Sequence, residues 1–265
     1  MTFIRPPAVA GTFYPGDAGE LQRSVRHYLD AAATPAATPS PKAIVVPHAG
    51  YVYSGALAAA AFARIDTDAI TRVVLLGPCH RVALNGLALS SAASFHTPLG
   101  DIELDTQLAA QITGLPQMQV FDATHEQEHS LEVQLPFLQV LLDEFTLLPL
   151  VVGQAAPDAV AEVLDRVWGG PETLIVISTD LTHFLDYHSA QTVDAATCKA
   201  VENLDSESIG DDQACGRMPL KGLLTLAKNR GMAVETIGLC NSGDTAGTKD
   251  RVVGYGAWAF YEATP

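Results

Sequence analysis

The 265-residue chain lacks several features that mark common protein classes. It has only four cysteines, none of them in a CxxC pair, and it is too large to need disulfide staples. It has no apolar stretch long enough to span a membrane, and its N-terminus has no apolar signal core. Charged residues make up only 17% and hydrophobic residues 48%, a balance typical of a folded chain. These absences predict a globular, cytoplasmic protein in a reducing setting.

Basic residues are also scarce. There are 15 lysines and arginines against 30 aspartates and glutamates, which gives a formal net charge of −15. Proteins that bind nucleic acids or acidic membrane surfaces usually carry a patch of basic residues. We therefore expect neither a nucleic-acid partner nor a membrane partner, and we attribute most of the negative charge to solubility.

Apolar runs alternate with amphipathic segments along the whole chain. Strands are predicted at residues 42–46, 72–76, 145–152, 173–177, 234–239 and 251–261, with short strands over 86–103. Helices are predicted at residues 18–33, 54–64, 105–113, 130–145, 158–168, 189–203 and 216–230. The Pro/Thr-rich stretch 34–41 is predicted to be a surface loop. The alternation predicts one α/β domain over residues 1–265, with three layers and a mostly parallel or mixed central sheet.

Polar clusters follow three of the predicted strands. His48 follows the first strand, His80 follows the second, and Asp180 and His183 follow a third. Each residue also has an ordinary structural explanation, because a histidine can form a hydrogen bond within a turn and Asp180 can cap a helix. Loops at the carboxyl ends of parallel strands lie side by side, however, so we expect these groups to meet on neighbouring strands. That arrangement is typical of a metal site.

Two other segments carry groups that can bind metals. Residues 125–129 read HEQEH, which resembles the zincin motif but precedes the predicted helix instead of lying inside it. His129, next to the helix start, is the better candidate for pointing inward. Asp244 follows a late strand, where Ser-Gly-Asp is also ordinary turn chemistry. A carboxylate there could complete two histidines into the facial triad that holds iron(II).

Several motifs, in the same order, resemble the Memo family, which includes AmmeMemoRadiSam system protein B. The similarity covers essentially the whole chain. It is carried by RPPAVAGTFYP from residue 5, PHAGYVYSG from 47, LGPCH from 76, EHSLEVQLPF from 128, STDLTH from 178, CGR from 215 and VGYGA from 253.

The family is similar in fold to LigB-like class III extradiol dioxygenases, which use non-haem iron(II). This resemblance implies that His48 and His80 are metal ligands and that Asp244 is the third, with Cys240 as the alternative. It implies an acid–base role for His183, and we expect Asp180 and His129 to line the same pocket. The implied cofactor is a divalent metal, most readily Fe(II), with Cu or Zn as alternatives.

Three functions remain open from the sequence. The first is an iron-dependent, dioxygenase-like redox enzyme acting on an unknown small molecule. The second is a non-catalytic binding or adaptor protein that retains the pocket, and the third is a metal-dependent hydrolase. Partnership with other AmmeMemoRadiSam-system proteins is expected from the resemblance. The fold cannot decide among these functions, because function depends on the site.

Overall fold

The computed structural model describes residues 3–32 and 40–263. Its strands are β1 (Ile4–Arg5), β2 (Ala43–Val46), β3 (Arg72–Pro78), β4 (Leu87–Leu89), β5 (Ser94–Thr97), β6 (Gly100–Glu103), β7 (Met118–Val120), β8 (Thr146–Val152), β9 (Thr173–Ser178), β10 (His183–Leu185), β11 (Ala233–Asn241) and β12 (Val252–Tyr261). Its helices are α1 (Ala18–Ala32), α2 (Tyr51–Phe62), α3 (Thr106–Ala110), α4 (Ala123–Glu126), α5 (Leu135–Leu141), α6 (Pro157–Arg166), α7 (Tyr187–Glu202) and α8 (Arg217–Asn229).

The central sheet is mixed, as the sequence predicts. Its middle strands run in the order β2-β9-β3-β8, and all four are parallel. On one side β12 is antiparallel to β2 and also pairs with β10 and β11. On the other side β4 is antiparallel to β8 and parallel to β7. A separate small sheet has the order β1-β5-β6.

The parallel strands are buried on both faces, which accounts for their continuous apolar sequences. In β2, Val45 packs into one apolar cluster with α6 and α8, while Ile44 packs into a second cluster with α1, α2 and α5. The neighbouring strands alternate in the same way, because successive side chains of a strand point to opposite faces. The result is three layers of helix, sheet and helix around one sheet, which confirms the predicted fold class.

The predicted helix over residues 130–145 is the least accurate prediction of an element. The chain forms a single 3-10 turn at Glu132–Gln134, and α5 covers only Leu135–Leu141. Pro136 sits in the first turn of α5, where its missing N–H costs no hydrogen bond. Strands β1, β7 and β10 and helix α4 were not predicted, because each has only two to four residues. The predicted loop at residues 34–41 lies mostly outside the described residues.

A buried carboxylate ties the N-terminal segment to the rest of the domain. Glu132 pairs with Arg5 and accepts hydrogen bonds from the Ala8 and Val9 N–H groups at 2.7 and 2.9 Å. The Tyr14 hydroxyl donates to the same carboxylate at 2.6 Å. Both charged side chains are almost fully buried. Because every contact of this charge comes from the first fourteen residues, the N-terminal segment is part of the folded core.

No helix in the described part of the chain is both long and apolar enough to cross a membrane.

Removing one member of the buried pair should strongly destabilise the fold. We expect Glu132→Ala to lower the free energy of unfolding by about 3–5 kcal/mol, because it leaves the Arg5 guanidinium buried and unpaired. Asp165→Ala, which breaks the exposed pair with Arg230, is the matched control and should cost at most about 1 kcal/mol. Urea unfolding measures both, and equal losses would contradict the assigned role of Glu132.

His125 should make stability depend on pH. It is buried, its Nε2–H donates to the Ala88 carbonyl at 3.1 Å, and burial lowers its pKa to about 4. In the unfolded chain its pKa is about 6.5, so its contribution is present above pH 6.5 and is lost as pH falls through 4. We expect His125→Gln to reduce the loss of unfolding free energy between pH 7 and pH 4 by roughly 3 kcal/mol. Urea unfolding of the wild type and of His125→Gln across this pH range measures the difference. Parallel pH profiles of the unfolding free energy would contradict the prediction.

Candidate metal centre

Three histidines meet at the carboxyl edge of the parallel strands. His48 lies two residues beyond β2, His80 lies two residues beyond β3, and β9 runs between these strands. His48 and His80 therefore do not follow adjacent strands, although adjacent strands were expected from the sequence. Their ring centroids are nevertheless only 5.3 Å apart. The central strand β9 ends at Ser178, early enough for the two imidazoles to meet beyond it.

The third member of the cluster is His129. One nitrogen from each of His48, His80 and His129 can be chosen so that all three lie within 4.8 Å of one another. The His129 ring stacks on His80 with centroids 4.7 Å apart and packs against Phe13 at 4.9 Å. Burial decreases across the cluster, from fully buried His48 to His80, which faces solvent. The cluster is thus exposed to solvent on the His80 side.

Hydrogen bonding fixes which nitrogen of His48 carries the proton. The Ser178 hydroxyl is 2.6 Å from the Ser130 carbonyl, which can only accept, so the hydroxyl proton is used there. His48 Nδ1 lies 2.9 Å from the same hydroxyl oxygen and must therefore be its donor. Nε2 of His48 is therefore the unprotonated ring nitrogen. Burial, and then the neighbouring His80 and His129, keep the pKa of His48 well below its usual value, so the ring is neutral.

His80 has the same tautomer for a different reason. Its Nδ1 lies 2.8 Å from a carboxylate oxygen of Glu128, which makes Nδ1 the protonated nitrogen and leaves Nε2 as an acceptor. His129 differs, because its buried Nδ1 has no hydrogen-bond partner among the described residues. Burial lowers the pKa of His129 to about 4, so this ring is also neutral.

These donors fit a divalent metal ion. Neutral imidazole nitrogens are ligands for zinc, copper, iron and nickel, and a ligating histidine typically makes a hydrogen bond through its other ring nitrogen. His48 and His80 both have such bonds, to Ser178 and Glu128. His48, His80 and His129 are the residues that could hold the ion.

Asp180 and Cys215 lie beside His48. Asp180 accepts the His48 backbone N–H at 2.7 Å, and its second oxygen is 4.0 Å from His48 Nε2. It therefore braces the His48 loop and does not cap a helix. Burial raises the pKa of Asp180 to about 7. The Cys215 sulfur is 3.3 Å from His48 Nε2, and burial raises the pKa of this thiol.

The sequence analysis gave Cys215 no role, because it follows no strand. It lies just before α8, and Gly216 caps that helix. A Cβ on Gly216 would lie 2.6 Å from Thr179 Cβ and 2.7 Å from the Ser178 carbonyl, so only glycine lets this helix start so close to β9. The motif CGR in the family resemblance was the available signal.

His183 lies at the rim of the cluster. It begins β10, where a helical turn was one interpretation of the sequence. Its Nδ1 donates to the Leu181 carbonyl at 2.8 Å, which leaves its Nε2 as an acceptor. Burial, and then the neighbouring His80, lower the pKa of His183. His183 is thus within electrostatic reach of the histidines and is not part of the three-residue cluster.

Asp244 does not join the cluster, contrary to the sequence-based expectation. It is exposed, and its carboxylate accepts hydrogen bonds from the Tyr187 hydroxyl and from the Asn241 N–H, forming a capping box. The physical reason is strand order. Strand β12 lies between β11 and β2, so the end of β11 is about 10 Å from the His48 strand. Cys240, the alternative ligand on the same strand, is likewise outside the cluster.

Comparison with known proteins gives one consistent result. Residues 5–259 match the family described as Memo-like protein. A MEMO1 family protein of Aquifex aeolicus is 37% identical over 267 residues, covering 95% of this chain and 97% of its own length. MEMO1 family proteins of Methanopyrus kandleri and Methanosarcina barkeri are each 34% identical, covering 97% and 96% of this chain and 98% of their own lengths.

Among solved structures, an uncharacterised protein of Escherichia coli K12 aligns with 80% of this chain and 98% of its own, at a TM-score of 0.49 and 10% sequence identity. The whole-length match to the family and the level of identity to its members agree with the motifs found in the sequence. The chain belongs to the Memo family.

Proposed function

We propose that this protein is an iron(II)-dependent redox enzyme that acts on a small molecule and holds its metal through His48, His80 and His129. The observation that carries the proposal is the convergence of three imidazoles, two of which have Nδ1 bonded to a neighbouring side chain, Ser178 or Glu128, so that Nε2 is the nitrogen that would meet a metal. Three ligands leave other coordination positions open, and the cluster faces solvent at His80.

Bound iron(II) would supply redox chemistry and open positions for dioxygen and an oxygen-donor substrate. The chain's own groups would manage protons. His183 has a free Nε2 acceptor at the rim, which suits it to take a proton from an entering hydroxyl group. Asp180, with its pKa raised to about 7, can exchange a proton near neutral pH beside His48. His129 serves as a ligand in this proposal, whereas the sequence led us to expect that it lines the pocket without being an obligatory ligand.

Metal-dependent hydrolysis is the second candidate, and the donor set itself favours it. Three histidines and an open position form the ligand set of zinc sites that activate water. Asp180 would be the nearby proton acceptor. Metal identity separates the candidates, because an iron site supports redox chemistry and a zinc site does not. We infer partnership with other AmmeMemoRadiSam-system proteins from family membership alone.

The ligand assignment predicts metal content. After anaerobic purification, His48→Ala, His80→Ala and His129→Ala should each lose most of the bound metal, because each removes one of three donors. Asp244→Asn and Cys240→Ser are matched controls and should retain it. Elemental analysis of each variant, with circular dichroism to check folding, measures this. Full metal occupancy in His48→Ala would show that the cluster is not the metal site.

The acid–base assignment predicts a different response at His183. His183→Ala should keep the metal and lower turnover by about 10²–10⁴-fold, the usual scale for loss of an acid–base group. Oxygen consumption by the iron(II)-loaded protein, measured against a panel of catechols and other small phenols, tests this. Loss of metal together with activity would make His183 a ligand instead. Failure of the wild type to bind any divalent metal below the millimolar range would favour the adaptor interpretation.

A further inference from the structure

One buried carboxylate contacts two of the three clustered histidines. Glu128 is 1% exposed, and both of its oxygens accept hydrogen bonds. One oxygen accepts the His80 backbone N–H at 2.6 Å. The other accepts His80 Nδ1 at 2.8 Å and the backbone N–H groups of His129 and Ser130, each at 2.9 Å. Three of these four partners are backbone N–H groups, which can only donate, and His80 Nδ1 is assigned as the fourth donor to an ionised carboxylate.

Glu128 is itself held in place from the N-terminal segment. Its backbone carbonyl accepts a hydrogen bond from Arg5 Nη2 at 2.6 Å, and Arg5 also donates through Nε to the His125 carbonyl at 3.0 Å. Arg5 is fixed in turn by its ion pair with Glu132. The carboxylate therefore has little freedom to follow a moving imidazole. It imposes a position and a tautomer on His80.

We propose that Glu128 is a positioning residue for the metal centre, a role that rests on the proposed metal function. It keeps the proton of His80 on Nδ1, so that Nε2 presents a lone pair to the cluster. Through the backbone of His129 it also fixes the third imidazole relative to the other two. Glu128 is not a ligand, because four protein donors occupy its acceptor positions.

Glu128→Gln is the informative substitution, because it keeps the shape and replaces one acceptor by an NH₂ donor. If the NH₂ group faces the His80 backbone, it meets the His80 N–H, which is also a donor, and that hydrogen bond is lost. If it takes the other position, it donates to His80 Nδ1 and moves the ring proton to Nε2, which removes the ligand lone pair. It then also opposes the N–H groups of His129 and Ser130. Either orientation weakens the centre.

Two measurements on the full-length protein test this role. The first is titration with Co²⁺ as the probe metal, where we expect Glu128→Gln to bind about 10–100-fold more weakly than the wild type, the usual cost of losing the hydrogen-bond partner of a ligating histidine. Glu126→Gln, an exposed glutamate two residues earlier, is the control and should bind normally. The second is ¹H–¹⁵N NMR of the histidine rings in metal-free protein, which reports the protonated nitrogen directly.

In the wild type we expect His80 to be protonated at Nδ1, and in Glu128→Gln we expect Nε2 protonation or a mixture. Wild-type His80 protonated at Nε2 would overturn the proposal, and this result does not depend on whether the variant folds. Unchanged Co²⁺ affinity in a folded Glu128→Gln would also overturn it. A wild type that binds no Co²⁺ would refute the metal function instead, and the NMR experiment would still decide the tautomer set by Glu128.

Discussion

The structure depends on the polar contacts of Glu128, Glu132 and Gln134, buried side chains of one short segment. A buried polar group without partners costs free energy, so each of these side chains must be met by a specific neighbour. Glu132 is met by the N-terminal segment, and Glu128 by His80 and the backbone that follows it. Gln134 donates to the Pro47 carbonyl and to Ser178, which joins the ends of β2 and β9. The contacts of Glu128 and Gln134 that hold this segment in place therefore also position His80 and the loop that carries His48.

Much of the architecture was predictable because it follows from hydrophobic patterning. The continuous apolar runs ending before His48 and His80 place both histidines at the carboxyl edge of a parallel sheet, and the structure has them there. Apolar runs do not reveal the order of strands in a sheet. The position of β12 between β11 and β2 could therefore not be predicted, and Asp244 was expected in the wrong place. His129 was predicted to point inward and line the pocket, but not to join the clustered histidines, because it lies in a loop after α4 and not at the end of a strand of the sheet.

The cluster differs electrically from the rest of the molecule. The chain carries a formal net charge of −15, yet burial keeps His48 and His129 neutral and holds Asp180 near its point of neutralisation. Such a site offers lone pairs in place of fixed charge. It would take up a cation through coordination and could exchange a proton near neutral pH, two properties that redox and hydrolytic metal enzymes share.

The central claim is that His48, His80 and His129 together bind one divalent metal ion. Anomalous diffraction from crystals grown anaerobically with Fe²⁺, recorded on both sides of the iron absorption edge, tests it most directly. The account predicts one dominant iron peak within about 2.0–2.3 Å of a nitrogen of each of the three imidazoles. A dominant peak elsewhere, for example at the exposed carboxylate of Asp244, or no peak at the cluster at full iron loading, would contradict it.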